Sequence, residues 1–247
     1  MSHVELTHTI YRMNKTHTEI IVAARGWSHP DWRKNFYPED LPEDWQLSFY
    51  SNEFRAVVVP ESVWFAGGAL EAERWVEDTN EDFVFYLELA DLLTDWARLT
   101  KVAQALGDRL GGILLRPVEL DADLAILASC LDAVEAVAPL CLLLPENVKL
   151  SEIGRDLLKQ HGVSLCWNTD QGEPDWTQGG FAVARAAGNI AYTPRHWREI
   201  IERCLRCEVQ GGGKRKVLLM VEQESPDIDA LRAAMMIGDM LVIPDIE

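Results

Sequence analysis

Eight short, almost wholly apolar runs punctuate this chain, and few folds accept that pattern. They cover 20–24, 56–59, 83–87, 112–115, 140–144, 163–167, 181–184 and 217–221. A strand with one wet face alternates polar and apolar residues, whereas a strand covered on both faces stays apolar throughout, as in a parallel sheet wrapped by helices. Amphipathic segments of helix length separate most of the runs. Over 92–106, Leu93, Trp96, Leu99 and Ala103 recur at three- and four-residue steps, and over 122–137 Leu124, Leu127, Leu131 and Val134 do the same. Thr193-Pro194 and Ser225-Pro226 each place a hydroxyl before a proline, which predicts helices starting at Pro194 and Pro226. Gly107, Gly111-Gly112 and Gly211-Gly212-Gly213 read as turns into the next strand, and Gly67-Gly68 and Gly179-Gly180 as bare turns. Between the sixth and seventh runs the chain holds Gly172 and Pro174 and has no room for a full helix. The fold class expected is α/β, a (β/α)8 TIM-type barrel with an irregular sixth unit, and an open doubly wound sheet is the alternative. The expected organisation is a single domain over 1–247, with 1–19 as an N-terminal extension.

Charge narrows the function classes. With 40 acidic against 23 basic residues the net charge is −17, the wrong sign for a protein that must displace counterions from a polyanion. No nucleic acid partner is expected. No apolar stretch reaches the roughly 18 residues of a membrane span, and 1–19 is too polar for a signal peptide. No membrane partner is therefore expected, and the expected location is cytoplasmic. Of five cysteines, Cys130, Cys141 and Cys166 sit in apolar stretches, while Cys204 and Cys207 form a lone Cys-x-x-Cys on a predicted helix without a nearby His. They read as helix-face cysteines rather than a metal or redox pair. No metal and no cofactor is expected.

In either fold, ligands bind beyond the carboxyl ends of the strands. The polar residues there are Arg25, Glu88, Arg116, Glu146, Asn168, Asp170, Arg185 and Glu222. Arg25, Arg116 and Arg185 with Glu88 and Glu222 make either a mouth for a small anion or a closed network that neutralises buried charge. His29 reads as a loop-packing residue rather than a base. The segment from Gly26 to Pro38 crowds Trp27, Trp32, Phe36 and Tyr37 into the loop after the first run, so it should fold over something concave. Trp27, Trp32, Tyr37, Trp64 and Trp167 read as a plug of the barrel mouth, with a stacking platform as the alternative. Trp45, Trp75, Trp96, Trp176 and Trp197 read as helix-to-barrel packing.

Gly26-Trp27, Trp32, Phe36-Tyr37-Pro38, Leu47, Tyr50 and Phe54, followed by Arg185 and Gly188, resemble the YecE-like family, also called domain of unknown function 72. The resemblance implies a TIM-type barrel and little about activity. It also exposes departures at the strand ends. Val58 and Pro60 stand where the family carries Glu and Asn, Glu88 where it carries Lys, and Leu142, Leu143 and Leu144 where it carries Glu and Arg. Ala187 replaces a His, and Val221-Glu222-Gln223 replaces Phe-Asn-Asn. Aliphatic side chains move no protons, so these departures imply a degenerate site. The expected function is noncatalytic binding or interaction, with a small anionic ligand or a protein partner at Arg25, Trp27, Trp32, Tyr37, Glu88, Arg116, Arg185 and Glu222. The alternative is a hydrolase or isomerase acting on a small phosphorylated or sugar-like substrate, with Glu88 or Glu222 as base. Oligomeric state is not readable from the chain.

Overall fold

The computed structural model describes residues 18–90, 95–117, 124–135, 137–144, 150–174, 176, 179, 181–188, 190–210 and 215–242. Every apolar run forms a strand: β1 (Ile20–Arg25), β2 (Ala56–Val59), β3 (Val84–Leu89), β4 (Leu110–Leu115), β5 (Leu140–Leu142), β6 (Ser164–Leu165) with β7 (Trp167–Asn168), β8 (Ala182–Ala186) and β9 (Val217–Val221). All pairings are parallel, in the order β6-β5-β4-β3-β2-β1-β9-β8-β7. β6 and β7 are halves of one extended segment interrupted at Cys166, whose N–H donates to the Leu142 carbonyl at 2.9 Å. The two ends of the strand order are thus one piece of chain, and the sheet closes into the (β/α)8 barrel rather than lying open.

Helices follow the strands and cover the outer face. α1 (Trp32–Asn35) and α2 (Gln46–Ser51) follow β1, α3 (Glu61–Asp78) follows β2, and α4 (Trp96–Leu106) follows β3. α5 (Leu124–Glu135), α6 (Glu152–Gln160), α7 (Pro194–Gln210) and α8 (Ile228–Val242) follow β4, β5, β8 and β9. Between β7 and β8 there is no helix among the described residues, which is the irregular sixth unit. Side chains alternate between two cores. Ile21, Ala23, Val58, Tyr86, Leu114, Cys141, Val183, Leu218 and Met220 fill the barrel, while Val22, Ala24, Val57, Val59, Phe85 and Leu87 pack against the helix layer. Among the described residues no helix is long and apolar enough to cross a membrane.

Several local expectations change. Gly111 and Gly112 lie inside β4, not in a turn. A Cβ on Gly112 would come within 2.8 Å of the Phe181 ring and 3.1 Å of the Pro139 carbonyl, so the barrel is closed too tightly there for any side chain. Gly67-Gly68 is a kink within α3, where Gly68 has φ 68°. The last helix starts at Ile228 rather than Pro226, because the Asp227 carboxylate accepts from the N–H groups of Asp229 and Ala230 at 2.8 and 3.1 Å. Thr193 does cap α7, its hydroxyl accepting from the His196 N–H at 3.4 Å. Trp45 is 65% exposed and packs on nothing in the barrel, and Trp176 is buried outside any helix. The Gly211–Gly213 expectation, Gly180 and the Leu93 position lie outside the described residues. All five cysteines are free; Cys204 is buried on α7 and Cys207 half-buried beside it, its thiol donating to the Pro174 carbonyl at 3.4 Å.

The close approach at Gly112 has a measurable consequence. Gly112→Ala should lower the unfolding free energy by about 1–3 kcal/mol through overpacking against Phe181. Denaturant titration showing an unchanged midpoint would contradict that packing.

Candidate functional site

Two-residue periodicity carries a polar side chain to the same level on six strands. Inward positions end at Arg25 after Ile21 and Ala23, at Glu88 after Tyr86, at Arg116 after Leu114, at Asn168 after Cys166, at Arg185 after Val183 and at Glu222 after Met220. On β2 and after β5 the corresponding inward residues are the buried Val58 and Leu143. Leu142 and Leu144 face the helix layer instead. Only Leu143 of that leucine run therefore has a place in the barrel.

The ring is built around a buried acid. The Glu88 side chain is 2% exposed, and both Nε and Nη2 of Arg25 lie 2.7 Å from its Oε2. Arg116 Nε lies 2.5 Å from Glu88 Oε1, but misaligned, so that contact is an ion pair and not a hydrogen bond. Trp64 reaches in from α3 and donates its indole N–H to the Glu88 carbonyl at 2.7 Å, which pins the strand end. Glu222 gathers the same cations from the other side: Arg116 Nη2 at 2.7 Å, Arg185 Nε at 2.5 Å and Arg25 Nε at 3.7 Å. Arg185 Nη1 also donates to Asn168 Oδ1 at 3.2 Å. Among the described residues three guanidinium groups thus face two carboxylates, leaving one positive charge in excess.

Electrostatics hold Glu222 and Arg116 ionised. Burial alone would raise the Glu222 carboxyl, but the hydrogen bonds and charges of Arg116 and Arg185 outweigh it and keep the group below its ordinary value. Burial likewise works against the Arg116 charge, and Glu222 and Glu88 overcome it. Cys166 lies close enough to feel Arg116 and Arg185. Burial and the neighbouring Cys141 thiol nevertheless hold it protonated, well above its ordinary value, so it is not an activated nucleophile.

Above the ring opens a cavity of about 640 Å³, bounded by Arg25, Trp27, His29, Pro60, Val63, Arg185, Ala187, Glu222, Gln223 and Glu224 among others. The mouth is therefore not plugged. Gly26 makes the opening possible: with φ 82° it turns the chain sharply off β1, a conformation that favours glycine, while its N–H still donates to the Val58 carbonyl at 2.8 Å. His29 then ties the loop across the mouth, one ring nitrogen 3.0 Å from the Glu224 carbonyl, and burial lowers its pKa. It packs on Trp32 with ring centroids 4.3 Å apart, as a loop-packing residue does.

Of the aromatic residues expected at the mouth, only Trp27 lines the cavity. Trp32 lies beneath the loop, stacked on Tyr50 with centroids 5.8 Å apart and donating to the Pro226 carbonyl at 2.7 Å. Tyr37 is buried beside it, its hydroxyl donating to the Trp27 carbonyl. Trp64 and Trp167 belong to the outer core, and Trp167 donates to the Gln171 carbonyl at 2.7 Å. These rings fasten the loops and strand ends; they neither plug the mouth nor form a platform. Arg25, Trp27, Glu88, Arg116, Arg185 and Glu222 do come together, with Glu88 and Arg116 beneath the cavity. Asn168 joins them, and Pro60, Val63, Ala187 and Gln223 complete walls that the strand-end argument left unassigned. Glu146 lies outside the described residues. Among the described residues no three His, Cys, Asp or Glu side chains converge in a manner that would hold a metal ion.

The ionised Glu222 sets a pH dependence. An unfolded chain takes up this proton near the ordinary 4.5, whereas the folded ring resists it to lower pH. Its stabilisation is whole above that value and lost as pH falls through the depressed folded value. Glu222→Gln should cost about 1.5–3 kcal/mol near pH 7. Its deficit against wild type should shrink as denaturation is repeated toward about pH 3. A deficit independent of pH would refute an ionised Glu222.

Comparison with known proteins agrees with this architecture. A DUF72 family protein from Thermotoga maritima superposes with a TM-score of 0.62 at 18% identity, covering 90% of this chain and 99% of that one. Another from Enterococcus faecalis gives 0.62 at 12% identity, covering 93% and 100%. A D-psicose 3-epimerase, crystallised in the presence of D-fructose, shares the barrel fold at a TM-score of 0.52 and 10% identity, covering 90% and 97%. No curated protein matches the chain. The family model described as "Protein of unknown function DUF72" matches residues 21–245, and on that near-complete match the chain belongs to the DUF72 family.

Proposed function

We propose that the barrel mouth is a noncatalytic binding site for a small anion. The observation that carries this reading is the excess, among the described residues, of one guanidinium over the carboxylates at the floor of an open cavity, within a chain of net charge −17. A local cation in a half-buried, low-dielectric cleft attracts an anion more strongly than the same charge on an open surface. The ring is also poorly arranged for acid–base work. Both carboxylates are committed to arginines, and a Glu222 held below its ordinary value is a weaker base and is not available as an acid. A hydrolase or isomerase reading would need a carboxylate released from those partners. A cytoplasmic location, where thiols stay reduced, belongs to the same reading and accords with the five free cysteines.

Native mass spectrometry of freshly purified protein, followed by calorimetric titration with a panel of small carboxylates and phosphates, tests the proposal. A bound anion should be recovered chemically unchanged after prolonged incubation, and Arg185→Gln should weaken its binding about tenfold or more. Conversion of the anion to product would overturn the noncatalytic reading. Binding indifferent to Arg185→Gln would place the site elsewhere.

A further inference from the structure

We infer that Glu222 sets the charge of the ligand, so that the mouth selects an organic acid carrying a single negative charge over one carrying two. This rests on the mouth being an anion site. Among the described residues three guanidinium groups and two carboxylates sum to one positive charge, and a monoanion brings that cluster to neutrality. A dianion would leave an uncompensated negative charge against Glu222 in a site only partly open to water, where charge imbalance costs most. Glu224 adds a carboxylate at the rim, but it is exposed and screened by solvent.

Two unused donor atoms indicate where the acid sits. Arg25 spends Nε and Nη2 on Glu88, and Arg185 spends Nε on Glu222 and Nη1 on Asn168. Neither Arg25 Nη1 nor Arg185 Nη2 donates a hydrogen bond among the described residues, and both side chains line the cavity. Two N–H groups from separate guanidiniums suit an acid that presents two oxygens, such as a carboxylate or a phosphodiester. Facing them, Trp27, Pro60 and Val63 form an apolar wall, which calls for a ring or other apolar body on the same small molecule. Glu222 is then a specificity-determining residue: it occupies the third guanidinium and removes one unit of attraction that a dianion would need.

Calorimetry with three matched probes tests this at near-neutral pH: benzoate, methyl phenyl phosphate and phenyl phosphate, the last mostly dianionic because its second pKa is about 6. Wild type should bind the two monoanions about tenfold more tightly than phenyl phosphate. Glu222→Gln should shift that ratio about tenfold toward phenyl phosphate, and Arg185→Gln should weaken all three. The tighter of the two monoanions identifies carboxylate or phosphodiester as the preferred acid. Should Glu222→Gln fail to melt cooperatively, the wild-type ratio decides alone, and a preference for phenyl phosphate overturns the inference. With a folded variant, a ratio unmoved by Glu222→Gln overturns it while leaving the anion site standing, provided Arg185→Gln still loses binding. No binding of any probe to wild type, or no effect of Arg185→Gln, overturns the anion site and this inference together.

Discussion

A carboxylate inside a barrel is the constraint that the mouth of this protein answers to. Glu88 is almost wholly withdrawn from water, and an unpaired charge there would cost several kcal/mol. Parallel strands in register place Arg25 and Arg116 close enough to neutralise it, β3 pairing with β2 and β4, and β2 with β1. Two guanidiniums on one carboxylate leave an excess that draws in Glu222. Glu222 in turn holds Arg185, which is oriented by Asn168. The positive charge left over, the ionised state of Glu222 and the polarity of one cavity wall all descend from that first burial.

The departures from the family pattern acquire a different meaning in this light. Glu88, read from the resemblance as a reversal of charge, is the centre of the ring. A cation at that position would repel Arg25 and Arg116, whereas Glu88 lets those two converge, and Glu222 adds Arg185 to them. Val58 and Leu143 are apolar members of the inward layer, whereas Leu142 and Leu144 point away from the ring and could not have contributed to it. The loop after β1 supplies the other half of the mouth. Its aromatic residues are anchors: Trp32 binds it to the loop after β9, and Tyr50 bridges strands by accepting from the Ala24 N–H at 3.2 Å and donating to the Ala56 carbonyl at 3.0 Å. A loop fastened in that way holds its wall of the cavity in place.

Strand location and the charged ring were legible along the chain for one physical reason. Apolar runs and two-residue alternation are local signals, and they continue past each run to Arg25, Glu88, Arg116, Arg185 and Glu222. Asn168 also keeps that parity, but the interruption at Cys166 splits its strand and obscures its partnership with Arg185. Trp27 and Trp32 carry the same residue type in the same loop, and nothing local says that one borders the cavity while the other lies under it. Gly111 and Gly112 look like turn residues because the crowding that demands them comes from Val84, Tyr86 and Phe181, far away in sequence. Asp227 displaces Ser225 as the cap because a carboxylate two residues later reaches the free N–H groups first.

Hydropathy and its period were enough to specify an α/β fold, its eight strand runs and the end at which polar groups collect, since burial on both faces of a strand is written residue by residue; that the sheet closes rather than lying open was decided by the pairing of both ends of the strand order with one segment, 164–168. Which guanidinium meets which carboxylate, how many charges remain uncompensated and whether the mouth stands open are properties of distance across the barrel. They exist only once strands remote in the chain lie side by side, because Coulomb interaction and packing depend on separation in space and not on position in sequence.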